Sequence, residues 1–492
     1  MSGSLLIAAA IFFPILCGIG ILLLPSVKER KQIHTATTIS LVMTAVLAVL
    51  VVIGKDYSLQ LLTFGENLQL YFHVDQMGKL FALVVTVVWL LAGFFSYEYM
   101  KHEGEEKRYF GFYVLVYGVL LALCFSGNLV TYYMFYEMMT LTTVPMVLHS
   151  KTRESISAAM KYLLYSMCGA YLVLMGINFL NKYTTSLDFT AQGTLNLSAV
   201  QGNESLILIM SFLLILGFGV KAGMFPMHAW LPTAHPVAPA PASAVLSGLI
   251  VKMGVLGIIR GVYYIVGPEF IRGTWVQNAW LVLTLITVFM GSMLAYREKI
   301  MKKRLAYSTV SQASYILFGL ALLQPTAMTG SLLHVVFHAV IKSCLFLSAG
   351  AIIYKTGKTN VDDLTGIGKE MPITIWCYTI VSLALIGIPP ASGFISKWYL
   401  AQGSLSSEIP VISWLGPVIL LVSALLTAGY LLPITIKGFL PGASYDYASL
   451  EKLEPVKVMV VPLLILAGLA LLLGVIPNPL VNYITDVINT LL

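Results

Sequence analysis

Eight side chains stand where an ionisable group is expensive. Lys221, Lys252, Lys342, Lys397, Glu137, His228, His334 and His338 all fall inside long apolar runs. A charge at the centre of a bilayer costs about 2.5–3.5 kcal/mol on insertion scales. Four unpaired ammonium groups would therefore cost on the order of 10 kcal/mol, comparable to the whole stability of a protein. Such lysines must be paired, hydrated or partly deprotonated. Burial disfavours the charged form of an amine and can bring it into proton exchange near neutral pH. A lysine that alternates between charged and neutral forms carries protons. Glu137 is the natural counter-charge, because a carboxylate within about 4–6 Å holds a lysine protonated and its withdrawal releases the proton. A static pair that merely pins helices together accounts for one lysine more easily than for four.

His334, His338 and Lys342 occur as LLHVVFHAVIK. Spacing of i, i+4, i+8 places all three along one helix face, with about 6 Å of rise between neighbours. An imidazole can accept a proton on one nitrogen and release one from the other, so the face reads as a relay. Two core histidines bonded to neighbouring hydroxyls are the plain alternative. Zinc is a weaker one, since no Asp or Glu lies beside the pair as a third ligand.

The elements that must position these groups follow from composition. Of 492 residues, 58% are hydrophobic and only 10% charged, and the mean hydropathy is +0.87. Soluble globular chains carry about 25% charged residues, so a soluble enzyme, a disordered chain, a disulfide scaffold and a nucleic-acid binder are excluded. Apolar runs of about 18 residues or more, each long enough to cross a bilayer, recur from end to end. The expected fold is an all-α polytopic membrane protein with fourteen spans: 4–24, 33–54, 74–97, 110–126, 129–148, 155–180, 205–231, 240–266, 276–296, 304–323, 327–354, 372–401, 411–438 and 457–477. The first is read as a span rather than a signal peptide, for want of a basic leader and a cleavage site. Cys17, Cys124, Cys168, Cys344 and Cys377 lie within apolar runs without any C-x-x-C spacing. They read as buried apolar side chains, and iron–sulfur and structural zinc sites are not expected.

Loops after odd-numbered spans hold nineteen Lys and Arg, among them Lys28, Arg30, Lys31, Arg297, Lys299, Lys302, Lys303 and Arg304; loops after even-numbered spans hold Lys55, Lys182 and Arg272. Positive residues stay on the inner face, which places both termini outside and makes the net charge of +7 an orientation signal. Lys79, Lys161 and Arg260 sit near span ends, within snorkelling reach of the interface.

Two spans are interrupted. The seventh carries Gly217, Gly219, Gly223 and Pro226 around Lys221; the twelfth carries Pro389, Pro390 and Gly393 just before Lys397. Proline breaks the backbone ladder, which membranes tolerate where the freed groups face protein or a cavity. The breaks lie five spans apart, as expected for inverted five-helix repeats. The chain then divides into 1–109 (spans 1–3), 110–266 (spans 4–8), 276–440 (spans 9–13) and 441–492 (span 14 and tail).

The run LILGFGVKAGMFPMHAWLPTAHPVAPAPASAVLSGLIVKMGVLGIIR from Leu214 to Arg260, H-x-x-x-H-A-x-x-K-x-x-L-F in span 11 and G-F-I-S-K-W in span 12 resemble one family over residues 70–440. It is that of the antiporter-like membrane subunits shared by respiratory complex I, Mrp-type Na+/H+ antiporters and membrane-bound [NiFe] hydrogenases. The resemblance implies fourteen helices with broken helices 7 and 12. It also implies that Glu137 pairs with Lys221, that Lys252 bridges to a central polar axis of His334, His338 and Lys342, and that Lys397 is the exit residue. His228 is implied only as a hydrogen-bonding brace. The M-type complex I subunit usually has glutamate where this chain has Lys397, and the L-type and large A-type subunits carry long C-terminal extensions, so the resemblance is greatest to a D-type Mrp subunit or a hydrogenase relative.

The expected function is proton translocation, with or without Na+ exchange, by one subunit of a multisubunit complex in a prokaryotic plasma membrane. Its expected partners are antiporter-like and small hydrophobic subunits, with or without redox subunits. No flavin, haem, iron–sulfur cluster or metal is expected in this chain, so enzymatic activity would belong to a redox complex of which it is the pump arm. A stand-alone carrier of an organic solute and a quinone-handling subunit are the competing readings.

Overall fold

The structure is a computed structural model that describes residues 3–65, 68–442 and 450–492. A helix lies over every expected segment. The first group comprises α1 (Gly3–Leu23), α2 (Arg30–Ile53), α3 (Gln76–Glu103), α4 (Glu106–Cys124), α5 (Leu129–Val147) and α6 (Arg153–Leu180). The seventh segment divides into α7 (Glu204–Ala222) and α8 (Leu231–Val237), followed by the continuous helix α9 (Ala240–Val266). Next come α10 (Trp275–Arg297), α11 (Met301–Ala321) and α12 (Pro325–Thr356), and the twelfth segment divides into α13 (Pro372–Ile386) and α14 (Ser392–Leu405). The chain closes with α15 (Ile412–Phe439), α16 (Lys457–Val475) and α17 (Asn478–Asn489). Among the described residues, eleven of these helices are long and apolar enough to cross a membrane. The chain is a multi-pass membrane protein.

Local chemistry sets the boundaries. Asp75, Asn128 and Thr152 cap α3, α5 and α6 by accepting from the backbone N–H three residues on, at 2.8, 2.8 and 3.2 Å, which satisfies otherwise orphaned donors. Gly223 ends α7 at φ 79° and Gly387 ends α13 at φ 94°, a left-handed turn that a Cβ would strain. The prolines follow within three residues, so neither helix can resume its register. Gly217 lets α7 lie against α6, where an added Cβ would fall 2.5 Å from the Gly169 carbonyl oxygen.

α9 is irregular in a useful place. It contains wide π-turns over Leu246–Ile250 and Arg260–Val266, immediately before Lys252 and at Arg260. α12 is buried along nearly its whole length, packed by α11, α13, α14 and α16. The polar centre therefore sits in the middle of the protein. Bulky apolar residues such as Leu16, Leu141, Leu164, Leu421 and Leu425 are exposed on the outside, as a lipid-facing surface requires.

Several details differ from the sequence reading. Residues 55–73, expected as a loop, contain an antiparallel hairpin of β1 (Ser58–Gly65) and β2 (Leu68–His73). The alternation in SLQLLTFG and LQLYFH carries that signal. The tail after span 14 is α17, whose Ile484, Val487 and Ile488 are buried while its other face is polar. Cys17 is only half-buried and Cys168 is exposed, so two of the five thiols lie outside the core. Lys79 and Arg260 do not reach for the interface alone. Arg260 is completely buried and clamps Asp75 through both oxygens at 2.5 and 2.7 Å, between the rings of Phe189 and Tyr264. Lys79 pairs with Asp56 at 2.9 Å, and Lys161 donates to Thr233 at 3.1 Å.

Candidate functional site

Lys221 occupies the last turn of α7, at the first break, and is completely buried. Its ammonium donates to Thr140 Oγ1 (2.9 Å), Tyr162 OH (2.9 Å) and Ser166 Oγ (2.8 Å). Three donors thus meet three hydroxyl acceptors, and the Tyr162 ring adds a cation–π contact at 4.3 Å. This cage takes the place of water. Thr140, Tyr162 and Ser166 escape the sequence reading, although Tyr162 and Ser166 stand one helical turn apart within an apolar run.

Glu137 does not touch Lys221. The two influence each other through space, but no ion pair within 4.0 Å joins any of the four lysines to a carboxylate among the described residues. Glu137 is half-buried, and its Oε1 has no hydrogen-bond partner among the described residues. It shares a face of α5 with the outward-facing Met134 and Leu141 at i−3 and i+4. Hydroxyls near Lys221 therefore do locally what the carboxylate was expected to do.

Lys252 lies just past the first π-turn of α9. Its Nζ donates to the Ser247 carbonyl at 2.6 Å and lies 2.5 Å from His338 Nδ1. Either nitrogen can donate in this bond, according to which of the two bases holds the proton. His338 Nε2 has no partner among the described residues. The His334 ring follows at 5.7 Å, with Tyr315 a further 5.6 Å away. His334 Nδ1 meets Ser396 Oγ at 2.9 Å, and its Nε2 meets Gln312 Oε1 at 3.2 Å. Gln312 Oε1 can only accept, so the His334 N–H sits on Nε2 and Nδ1 accepts from the Ser396 hydroxyl. Lys342 is completely buried and donates to the Leu305 carbonyl at 2.8 Å.

Lys397 stands on α14 beyond the second break. It donates to the Leu385 and Ile386 carbonyls at 2.6 and 2.9 Å, two of the acceptors that the end of a helix leaves unsatisfied. It lines an open cavity of about 220 Å³ with Ile386, Gly387 and Trp398. Each broken helix thus supplies a lysine with a local polar cradle, of hydroxyls at the first and carbonyls at the second. His228 lies beside the first break with Nδ1 buried and unpartnered among the described residues. Its ring is 6.1 Å from Phe225, so that nitrogen makes no hydrogen-bonding brace. The structure brings Lys252, His338 and His334 into one line and sets Lys221, Glu137, Lys397 and His228 around it.

Two basic residues that the sequence presents as orientation signals are also structural. Lys302 is 9% exposed and donates to the Ala238 carbonyl at 2.8 Å. Arg304 bonds the Glu298 and Tyr430 carbonyls at 2.7 and 2.8 Å. Among the described residues, no group of three or more His, Cys, Asp or Glu could hold a metal ion.

The fold and site define a class, a polytopic helical membrane subunit with buried lysines at two helix breaks, and comparison with known proteins gives its family. Residues 126–427 match the family described as NADH:quinone oxidoreductase/Mrp antiporter, TM, and residues 62–110 match the N-terminus of chain 5 of NADH-ubiquinone oxidoreductase, complex I. The chain belongs to this family of antiporter-like membrane subunits. It is 32% identical to the N-type subunit of the NADH-quinone oxidoreductase of Desulforudis audaxviator, over 77% of this chain and 76% of that one. It is 32% identical to the B component of hydrogenase-4 of Escherichia coli, over 83% of this chain and 63% of that longer one. It is 30% identical to the D-type subunit of the Na(+)/H(+) antiporter of Bacillus subtilis, over 74% of this chain and 72% of that one. A chain of the Mrp complex from Dietzia sp. DQ12-45-1b shares the fold at a TM-score of 0.85 and 21% identity, with 99% of this chain and 97% of that chain covered.

Proposed function

We propose that this chain is the proton-translocating subunit of a multisubunit membrane complex, in which protons move along Glu137, Lys221, Lys252, His338, His334 and Lys342 and leave near Lys397. The observation that carries this reading is the 2.5 Å hydrogen bond between Lys252 and His338. Two bases that share one proton in a dry interior form a transfer element, because the proton can rest on either without a change in net charge. His334, stacked 5.7 Å beyond, extends the element along α12. His228 belongs to the edge of this path.

In this reading the fourteen helical segments all cross the membrane, with α4–α9 and α10–α15 as inverted repeats. Equivalent packing supports the repeat: α6 lies on α7 as α12 lies on α13, and α9 lies on α7 as α15 lies on α13. The basic loops then mark the inner face, and both termini lie outside, in a prokaryotic plasma membrane. Other membrane subunits are the partners. Glu137 on an outward face of α5 and Lys397 at an open cavity are ionisable groups that such a neighbour would cover. The chain itself holds no cofactor in this reading.

An Mrp-type complex exchanging Na+ for H+ is the preferred assembly, with a D-type role for this chain. The similar identities to subunits of three kinds of complex support a second assembly, in which this subunit is the pump arm of a redox-driven complex. The test is transport by the purified complex in vesicles, followed with a pH-sensitive dye. Lys221→Ala and Glu137→Ala are each expected to abolish proton movement while the complex stays assembled; native rates in both variants would overturn the proposal. Proteins co-purifying with the chain distinguish the assemblies, since iron–sulfur or nickel proteins mark the redox-driven form.

A further inference from the structure

A second set of polar groups leaves the centre at Lys342. His235, in α8, is completely buried, and neither of its ring nitrogens has a partner among the described residues. A neutral imidazole always presents one N–H and one lone pair, and leaving both unpaired in a closed interior is unfavourable. Its ring stacks on Phe346 with centroids 4.8 Å apart. The same Phe346 ring carries Lys342 Nζ at 5.8 Å, so the histidine and the lysine both border one aromatic side chain. Three residues beyond His235, the Ala238 carbonyl accepts from Lys302 Nζ at 2.8 Å.

Lys302 stands in the first turn of α11. That turn borders a loop that follows an odd-numbered span, so Lys302 lies at the face with the basic loops. The flexible four-carbon stem of a lysine gives Lys302 reach between the Ala238 carbonyl and the imidazole.

We propose that His235, with Lys302, forms the branch by which protons pass between the face of the basic loops and the Lys252–His338–Lys342 centre. The proposal rests on the proton-carrying role of that centre. In one passage the Lys302 ammonium gives its proton to one ring nitrogen of His235 and becomes a neutral amine. The other ring nitrogen gives its proton to neutral Lys342, and His235 returns to its neutral form as the opposite tautomer. Lys302 then takes a proton from the aqueous face. Each step moves one proton and needs no other reactant.

The test uses the intact complex in vesicles, with proton flux read by dye and assembly by native gel. His235→Gln and Lys302→Arg are each expected to lower flux tenfold or more. Lys302→Arg keeps the charge and a donor for the Ala238 carbonyl but cannot release a proton, so a purely structural Lys302 would tolerate it. The double variant is expected to be no slower than the slower single one, because the groups act in series. Added imidazole is expected to restore part of the flux to His235→Ala. Native flux in His235→Gln and Lys302→Arg, with Lys252→Met blocked, would overturn the branch and leave the centre standing. Native flux in Lys252→Met as well would overturn the centre itself. If His235→Gln fails to assemble, Lys302→Arg decides by the same measure.

Discussion

Lys252→Met and Lys252→Arg together separate a proton carrier from a lysine that only holds helices. In the native protein, Nζ bonds the Ser247 carbonyl at 2.6 Å and His338 Nδ1 at 2.5 Å. Methionine leaves these two acceptors unpaired, at about 1–3 kcal/mol each. It also removes a buried ammonium that costs about 2.5–3.5 kcal/mol to hold in a bilayer interior. The terms oppose each other, so the variant is expected to fold and assemble, at a net cost of no more than about 3.5 kcal/mol. Transport is another matter. Without the amine, a proton must pass the gap as a poorly solvated charge, and stripping an ion of solvent costs several kcal/mol. A barrier raised by about 3–4 kcal/mol slows a step roughly 100- to 1,000-fold. Arginine keeps the positive charge and the donors, yet a guanidinium does not deprotonate in proteins. Lys252→Arg is therefore expected to transport as slowly as Lys252→Met. The assay is initial proton flux into vesicles holding the assembled complex. Flux in Lys252→Arg within about threefold of native, less than 1 kcal/mol in barrier, would refute the reasoning and leave Lys252 as a fixed charge.

Three further outcomes follow from the geometry. Asp75→Ala strands the Arg260 guanidinium in the interior; removing one partner of a buried pair costs about 3–5 kcal/mol, seen as a lower unfolding temperature in detergent. Asp75→Ala with Arg260→Met should recover part of that loss, and equal stability of native and Asp75→Ala proteins would refute the pairing. Gln312→Leu deprives His334 Nε2 of its 3.2 Å partner; losing about 1–1.5 kcal/mol of positioning predicts flux reduced roughly tenfold with assembly intact, and unchanged flux would deny Gln312 a positioning role. At the α10–α11 turn, burial raises the pKa of Glu298, but the Lys303 hydrogen bond and the backbone N–H groups of Ile300 and Lys299 outweigh it and hold the carboxyl below its usual range. Its contribution is present above the usual carboxylate pKa and is lost as pH falls through the depressed value. Proteolysis of the 297–303 turn should therefore accelerate below about pH 4 in the native chain, while Glu298→Gln should show no such acid-dependent rise; equal pH profiles would contradict the assignment.

The helix pattern is legible because each segment repeats one physical requirement, a stretch of apolar residues about a bilayer long. The breaks are legible because Pro226, Pro389 and Pro390 cannot donate to a helix ladder. The hairpin at 58–73 and α17 escape although their periodicities are present, because both lie in what reads as connection between or beyond spans. Lys302, Arg260 and Lys79 are misplaced because position near a span end does not say whether a neighbouring element closes over the side chain. His235 stands in plain view within the A-H-P motif, but its burial needs α8 to fold under α12.

By itself the sequence determines that this chain is a polytopic helical membrane protein, which lysines lie deep, and where two helices must break. Those properties depend on residue type and on spacing along a single helix, which the bilayer and the backbone ladder dictate locally. Tertiary structure alone decides which groups satisfy the buried charges. Lys221 rests on Thr140, Tyr162 and Ser166 rather than on Glu137, and Lys252 on His338, because a buried ammonium bonds whatever acceptors the packing of α5, α6, α9 and α12 brings within about 3 Å.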